Sequence, residues 1–493
     1  MAGYVLGIDQ STQGTKALLF DENGTLLFRE DLLHRQIVND KGWVEHDPEE
    51  IYQNVVQVAK NLLGKSGIDK AGIRTLGISN QRETAVAWDR ATGRPLSNAI
   101  VWQCARASGI CEAIKEQDDL IRDCTGLPLS PYFSAAKFAW ILQNVDAARE
   151  CARREELCCG TIDSWLIYKL TKGKVFKTDY SNASRTQLFD IRKLTWNSEL
   201  CELFGIPMSA LAEVCDSDSY FAETDLDGYL KAPIPICGVL GDSHGALFGQ
   251  GCHEPGMVKA TYGTGTSIML NVGEEYIRSR HGLAASLAWK IGGKVNYVLE
   301  GNINYTGAVI SWMKDDMHLI ASPQEAEEQA CRANPADEAV LVPGFTGLSA
   351  PWWKDDARAV LAGMSRLTGK AEVIKAGLES IAYQIVDVLQ AMTQDYGKSI
   401  VELRVDGGAT RNGYLMQFQS DLLCAAVCVA ENEELSGIGA AYLAGITAGI
   451  YDKREIFSRQ SFTRFENQMD EKVRVRRLRL WRKAVEMVLN EVP

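Results

Sequence analysis

The sequence predicts an α/β fold of two similar halves facing one another across a cleft. Three observations carry that reading. Apolar strand-like runs alternate with helical patterns, the pattern restarts near residue 257, and a Thr/Gly-rich turn sits between two strands in each half. Strands mixed with crossover helices indicate a largely parallel sheet. At 493 residues the chain exceeds what one hydrophobic core supports, so two domains are expected, 1–250 and 251–493.

The first half opens with "YVLGIDQSTQGTKALLFDENGTLLF", two apolar runs around a polar turn, then a hairpin turn at Asn23-Gly24. "IYQNVVQVAKNLLG" has the period of a helix and stops at a glycine. "IRTLGISNQ" reads as a strand with a polar end, and "TAVAWDRATG" continues the sheet. "GVLGDSHGALFGQ" then sets Asp242, Ser243 and His244 after an apolar run. A serine–histidine–aspartate triad is disfavoured there, because consecutive strand side chains face opposite ways while triad members hydrogen-bond in series.

In the second half, "MVKATYGTGTSIMLNVG" repeats strand, turn, strand, and "NYVLEGNINYTGAVISWM" runs from strand into helix. "LRVDGGATRNGYLMQFQSDLL" is a strand, a glycine turn and a helix. The C-terminal "EKVRVRRLRLWRKAVEMVL" is a basic amphipathic helix, read as a packing helix rather than a membrane-surface one.

Composition narrows the function classes. Apolar residues at 46% and charged residues at 24% are ordinary for a globular chain. The 52 Lys+Arg against 64 Asp+Glu leave a net charge of -12, which argues against a nucleic-acid partner but leaves room for a small phosphorylated ligand. The 13 cysteines are odd in number and lack CxxC spacing, as expected of buried thiols in a reducing compartment. No signal-peptide pattern and no run of ~18 apolar residues occurs, so a cytoplasmic protein without membrane association is expected.

Three turns have the chemistry of phosphate cradles. In Asp9–Lys16, backbone N–H groups, Thr12, Gln13 and Lys16 can meet phosphate oxygens, and Asp9 can hold a hydrated Mg²⁺. Thr261–Thr266 has glycines that permit close backbone approach, and Asp406–Ala409 leads into a helix N-terminus. Each alone is an ordinary Gly/Ser/Thr turn; together they suggest a nucleotide clamped between domains. No GxxxxGK[ST] loop and no GxGxxG opening a helix occurs, which disfavours a P-loop enzyme and a dinucleotide-binding domain.

A second cluster suits a polyol. Gln81, Arg82 and Glu83 follow a strand, and an adjacent arginine and glutamate can donate to and accept from vicinal hydroxyls. Trp102 and Tyr132 add an aromatic wall with a hydroxyl, and Glu300 ends another strand.

With these stretches, "GWVEHDP", "NQRET", "NAIVWQC", "YFSAAKFAWILQN", "GTIDSWLIYKLT", "TDYSNASRTQLFDI", "TYGTG", "PGFTGLSAP", "ESIAYQ" and "LRVDGGATRN" stand in order along the chain. From residue 4 to about 450 it resembles the FGGY carbohydrate kinase family, most closely its glycerol kinase branch. The resemblance implies two RNase H-like domains of the actin/hexokinase type and transfer of the ATP γ-phosphoryl group to a terminal hydroxyl in the cleft. By that resemblance Asp242 is the catalytic base, and Arg82, Glu83, Trp102 and Tyr132 bind the polyol. Thr12 and Lys16 match the first phosphate loop, Gly263, Thr264, Gly307, Gly408 and Asn412 the nucleotide contacts, and Asp9 the magnesium-proximal carboxylate. A homo-oligomer is expected on the same ground.

Two departures bear on substrate. Ser243 stands where the branch has glutamine, and Ser267 where it has phenylalanine. Losing an aromatic wall removes roughly 100–200 Å² of packing surface. The expected substrate is therefore a four- or five-carbon ketose or polyol, such as xylulose or a related pentulose or pentitol. The alternative is glycerol, favoured by "NQRET", Trp102 and Tyr132. A further alternative, an actin- or Hsp70-like ATPase, would share the phosphate turns but would not need Arg82 and Glu83 beside an aromatic wall.

Overall fold

The computed structural model describes residues 3–490. The first main sheet contains β1 (Tyr4–Gln10), β2 (Gly14–Phe20), β3 (Leu26–Leu33), β4 (Ile73–Asn80), β5 (Ala222–Thr224) and β6 (Ile234–Gly241), in the order β5-β6-β4-β1-β2-β3. The second contains β7 (Val258–Tyr262), β8 (Thr266–Gly273), β9 (Ala284–Ile291), β10 (Lys294–Ile303), β11 (Glu402–Asp406), β12 (Ala426–Ala430) and β13 (Phe462–Phe465), in the order β9-β10-β8-β7-β11-β12-β13. The two share one plan. β1 and β7 each form an antiparallel hairpin with the next strand and lie parallel to a later one, β4 and β11 respectively.

The sheets are mixed rather than largely parallel. Only β1–β4 and β4–β6 in the first sheet, and β7–β11 and β11–β12 in the second, are parallel pairs. Tight turns after β1 and β7 send the chain straight back, and a direct reversal can only make an antiparallel pair. "TAVAWDRATG" also leaves the first sheet: Val86–Asp89 pairs with Leu157–Gly160 in a separate two-stranded sheet. The cause is local. Glu83 adopts φ 60°, and the Thr84 N–H donates to the Arg82 carbonyl at 2.7 Å, turning the chain aside.

The helices that bear on the site are α1 (Pro48–Ser66), α2 (Asp242–Gly249), α3 (Gly307–Ser311), α4 (Lys370–Tyr396), α5 (Gly413–Leu423), α6 (Leu435–Thr447) and α7 (Glu471–Leu489). Helix α1 starts where the Asp47 side chain accepts the Glu49 N–H, and it runs through Gly64 to a left-handed cap at Gly67. Helix α7 buries Leu478, Trp481, Ala484, Val485 and Val488 and turns its basic face outward. Helix α6 crosses to the first sheet, where strand glycines let it approach closely. A Cβ on Gly77 would lie 2.2 Å from the Ala440 carbonyl oxygen, and one on Gly238 2.8 Å from the Ala444 nitrogen.

All 13 cysteines are free, and most are buried. Among the described residues no helix is long and apolar enough to cross a membrane.

Candidate active site

The parallel register of β1, β4 and β6 sets their C-terminal ends side by side, with Asp9 opposite Ser79 and Asn80 opposite both Gln10 and Gly241. Chain leaving these ends delivers Arg82, Glu83 and Asp242 to one edge of the first sheet. Ligands of open α/β sheets bind outside such carboxyl ends. Asp242 does not sit on a strand; it opens α2, so Asp242, Ser243 and His244 occupy one helical turn. His244 is buried with both ring nitrogens unpartnered, and burial, then Arg82, holds the ring neutral. Helical placement, not strand alternation, is why no triad forms.

Arg82 is the centre of the polar cluster at this edge. Its Nε–H donates to Asp242 Oδ1 at 3.2 Å, and its Nη2 reaches Ser243 Oγ at 3.1 Å. Nη1 and Nη2 hold the two carboxylate oxygens of Glu300 at 3.0 and 2.8 Å. Glu300 lies within β10, which continues to Ile303, so it is a buried carboxylate from the second sheet rather than a strand end. Arg185 completes the cluster, donating from Nε to Glu83 at 2.6 Å with Nη1 2.8 Å from Glu300. Burial raises the Glu83 carboxyl above its usual range, with Arg185 opposing. Burial also pushes Glu300 up, but Arg185 and Arg82 outweigh it and hold its carboxyl well below the usual range.

The aromatic wall stands beside this cluster. Trp102 and Tyr132 pack with ring centroids 5.3 Å apart, and the indole Nε1–H donates to Thr12 Oγ1 at 2.9 Å. Lys137, wholly buried, donates to the carbonyls of Pro131, Tyr132 and Phe133 and so pins the turn that presents Tyr132. Burial lowers its ammonium to about 7.

The predicted phosphate turns do not all line one cavity. Gly263, Thr264, Gly307, Gly408 and Asn412 line one cavity of about 490 Å³ in the second half. Gly307 N–H donates to the Gly263 carbonyl at 3.0 Å, tying the N-terminus of α3 to the β7–β8 turn. Gly407, at φ 99°, is needed where β11 leaves the sheet, since a Cβ there would lie 2.4 Å from the Tyr262 carbonyl oxygen. Thr12, Gln13 and Lys16 stay with the first sheet. The Gln13 carbonyl accepts the His34 N–H at 3.2 Å, and Lys16 pairs with Glu434 at 2.5 Å and lies 4.0 Å from Asp9. Asp9 accepts Ser79 Oγ–H at 2.9 Å, and burial pushes its carboxyl up to about 6.

No group of three or more His, Cys, Asp or Glu side chains stands ready for a metal among the described residues. That donor set still fits magnesium, which takes one or two carboxylates and fills its octahedron with water and phosphate oxygens. Asp9, desolvated and proton-loving without a cation, is the carboxylate in place.

Ser243 and Ser267 are engaged in hydrogen bonds. Ser243 accepts from Arg82, while Ser267 lies 3.4 Å from Glu300 and 3.3 Å from Lys259, a buried lysine whose ammonium burial lowers to about 8. Sequence reading missed Arg185, Lys259, Lys137 and Glu434. Lys259 alone left a trace, a charge interrupting the apolar strand "MVKATY".

Comparison with known proteins agrees with this geometry. Residues 4–249 match the N-terminal domain of the FGGY family of carbohydrate kinases, and residues 258–448 match its C-terminal domain. The chain is 46% identical over 494 residues to the glycerol kinase of Caldanaerobacter subterraneus subsp. tengcongensis, covering 99% of each. It is 45% identical over 494 residues to glycerol kinase 1 of Thermotoga maritima, covering 99% of this chain and 100% of that protein. The crystal structure of Plasmodium falciparum glycerol kinase with ADP superposes with a TM-score of 0.93 at 36% identity, covering 99% of both chains. These similarities overturn the four- or five-carbon ketose or polyol expected from the two serines. In the structure both hydroxyls are engaged by the Arg82–Glu300–Lys259 cluster, so the two serines serve as polar partners within that network.

Proposed function

The chain belongs to the FGGY family of carbohydrate kinases, ATP-dependent phosphotransferases acting on an alcohol, and on that premise we propose that it is a glycerol kinase. The observation that carries this reading is the full-length similarity to glycerol kinases. A polar pair beside an aromatic wall supports it. Arg82 and Glu83 hold the vicinal hydroxyls of glycerol, and Trp102 and Tyr132 close over its carbon chain. Asp242 accepts the proton of the terminal hydroxyl as that oxygen attacks the γ-phosphorus of ATP.

The second-half cavity, with Gly263, Thr264, Gly307, Gly408 and Asn412, receives the nucleotide. Thr12, Gln13 and Lys16 approach the phosphates from the first half. Asp9 would hold Mg²⁺ through water; the ion supplies charge neutralisation on the phosphate oxygens. The protein's own contribution is alignment of hydroxyl, base and phosphate, together with exclusion of water as the halves close. Dependence on ATP and the many free buried thiols support a cytoplasmic setting.

A steady-state panel tests the proposal. kcat/KM for glycerol should exceed that for erythritol, xylitol and xylulose by at least about tenfold, the scale of one lost or gained methylene-sized fit. A pentulose or pentitol turned over better than glycerol would overturn it, as would ATP hydrolysis indifferent to any acceptor.

A further inference from the structure

We propose that Glu300 is a positioning residue for the acceptor clamp, fixing Arg82 from the opposite sheet, with Arg185 and Glu83 extending a buried chain of four charges. The inference rests on the glycerol kinase reading of the site, which it deepens by naming what holds the polyol-binding arginine in place.

The geometry is continuous and crosses the cleft. Arg82, Glu83 and Arg185 belong to the first half, and Glu300 to β10 of the second. Glu300 meets Arg82 end-on, at 3.0 and 2.8 Å, and Arg185 lies 2.8 Å from the same carboxylate while donating to Glu83 at 2.6 Å. Relative exposures are 5% for Arg82, 2% for Glu83, 1% for Arg185 and 1% for Glu300, so none of the four is screened by solvent. Two guanidinium and two carboxylate groups cancel in charge. Buried ions persist only when paired and hydrogen-bonded, and removing one partner strands the others. Arg185 also lies over the Phe133 ring, 5.1 Å from its centroid, which ties the chain of charges to the turn carrying Tyr132.

Glu300 decides how the Arg82 donors are shared. Arg82 has five N–H bonds. Glu300 takes two, Asp242 one and Ser243 one, leaving a single Nη1–H uncommitted. With Glu300 in place, the guanidinium plane is fixed, one N–H is offered to the acceptor and Asp242 keeps a free oxygen. Without it, the freed N–H groups turn toward Asp242, the nearest remaining carboxylate, and the clamp loses its orientation. Glu300 touches neither substrate nor nucleotide in this scheme. Its effect is read through Arg82.

The experiment compares apparent KM values for glycerol and ATP in Glu300→Gln, which keeps shape and one acceptor while removing the charge. The expected result is a glycerol KM raised at least tenfold with the ATP KM within twofold, and partial recovery in Glu300→Asp. If Glu300→Gln does not fold, Glu300→Asp alone reads the same ratio, with a smaller rise in the glycerol KM expected. A folded variant with glycerol KM within twofold of the parent overturns the proposal. So does an equal loss for both substrates, the mark of a merely structural role. The parent enzyme's own turnover of glycerol reads the substrate assignment separately. If another alcohol proves to be the acceptor, its KM replaces that of glycerol in the comparison, and the positioning role stands or falls on the same ratio.

Discussion

Asp242 enters α2 with one oxygen already serving two donors, the Arg82 Nε–H at 3.2 Å and the Ser243 N–H at 2.6 Å. Its side chain is 33% exposed, whereas Arg82, Glu83, Arg185 and Glu300 are buried. In the proposed reaction the second oxygen is the one left to meet an acceptor hydroxyl and take its proton, since a hydroxyl is otherwise a poor nucleophile. Asp242→Asn keeps the shape and the Arg82 contact but cannot take the proton. We expect kcat to fall about 10²–10⁴-fold, the range of general-base catalysis, with ATP binding spared. Steady-state kinetics with a nucleotide-binding titration checks both halves, and near-normal turnover would refute the base assignment. Ser243 makes a different point. It consumes one Arg82 N–H at 3.1 Å, so Ser243→Ala returns that donor to the acceptor. The expected outcome is a glycerol KM lowered about two- to threefold, a fraction of one hydrogen bond, with the preference for glycerol over erythritol and xylitol intact. A switch of preference toward the longer polyols would show that Ser243 sets chain length after all.

Elements carry the next level, and here the sequence was readable in part. The hairpins at Asp9–Lys16 and Thr261–Thr266, the strand ending at Asp406 and the helix after it stood out because glycine and threonine punctuate apolar runs. The first turn of α2 did not, since "GDSHGALFGQ" follows a strand without a stop signal. Arg185 and the pairing of Glu300 with Arg82 were invisible for a plainer reason. Their partners lie 102 and 218 residues away in the chain, and pairings at that range leave no local periodicity. The docking of α7 on α4 is a similar long-range event. Asp387 on α4 accepts the Trp481 Nε1–H of α7 at 2.7 Å and faces the Trp352 Nε1–H at 3.4 Å. Burial raises its carboxyl from 3.8 to about 7, with the two indoles opposing. Below about pH 4 the group is neutral folded or unfolded, and it costs nothing. As pH rises from there to about 7, the unfolded chain releases the proton first, so stability falls, and above 7 the full cost is present. That cost is on the order of 4 kcal/mol by the usual conversion. Asp387→Asn keeps an acceptor for Trp481 and removes the charge. Its melting temperature should exceed the parent's at pH 8 and converge with it near pH 4. A thermal-unfolding series across that range checks the sign, and a variant less stable at pH 8 would contradict it.

At the scale of the whole molecule, the two halves share one plan but do not stand alone, because α6 belongs to the second half in sequence and to the first sheet in space. Its small-residue face "LSGIGAAYLAGIT" seats against β1, β4 and β6, whose own glycines make room for it. The contact is backbone to backbone. Beyond the approach to Gly77 and Gly238, a Cβ on Gly7 would lie 3.1 Å from Ala441 Cβ and 3.2 Å from the Gly437 carbonyl oxygen. The same helix meets α2, which Asp242 begins, with a Cβ on Gly439 falling 1.9 Å from the Gly245 carbonyl oxygen. The helix that begins with Asp242, the proposed base, thus rests on chain from both halves of the sequence, and this packing predicts that folding and catalysis are coupled through α6. Side chains forced into such a contact cost about 1–3 kcal/mol, and here the obstacle is backbone, which cannot rotate away. Two outcomes follow from this packing. A fragment of residues 1–250 should fail to give a cooperative unfolding transition, because the face of β1, β4 and β6 that α6 covers is left open to water, and mixing with 251–493 should restore one. In the full chain, Gly77→Ala should lower the melting temperature and also reduce kcat, since displacing α6 shifts α2 and with it Asp242. Gly67→Ala, at an α1 cap with nothing within 4 Å of its Cβ, separates the two effects by straining the backbone while leaving α6 in place. Calorimetry on the fragment and paired melting and turnover measurements on the two glycine variants decide it: a fragment that melts cooperatively by itself, or a Gly77→Ala variant with unchanged turnover, would detach α6 from both folding and chemistry.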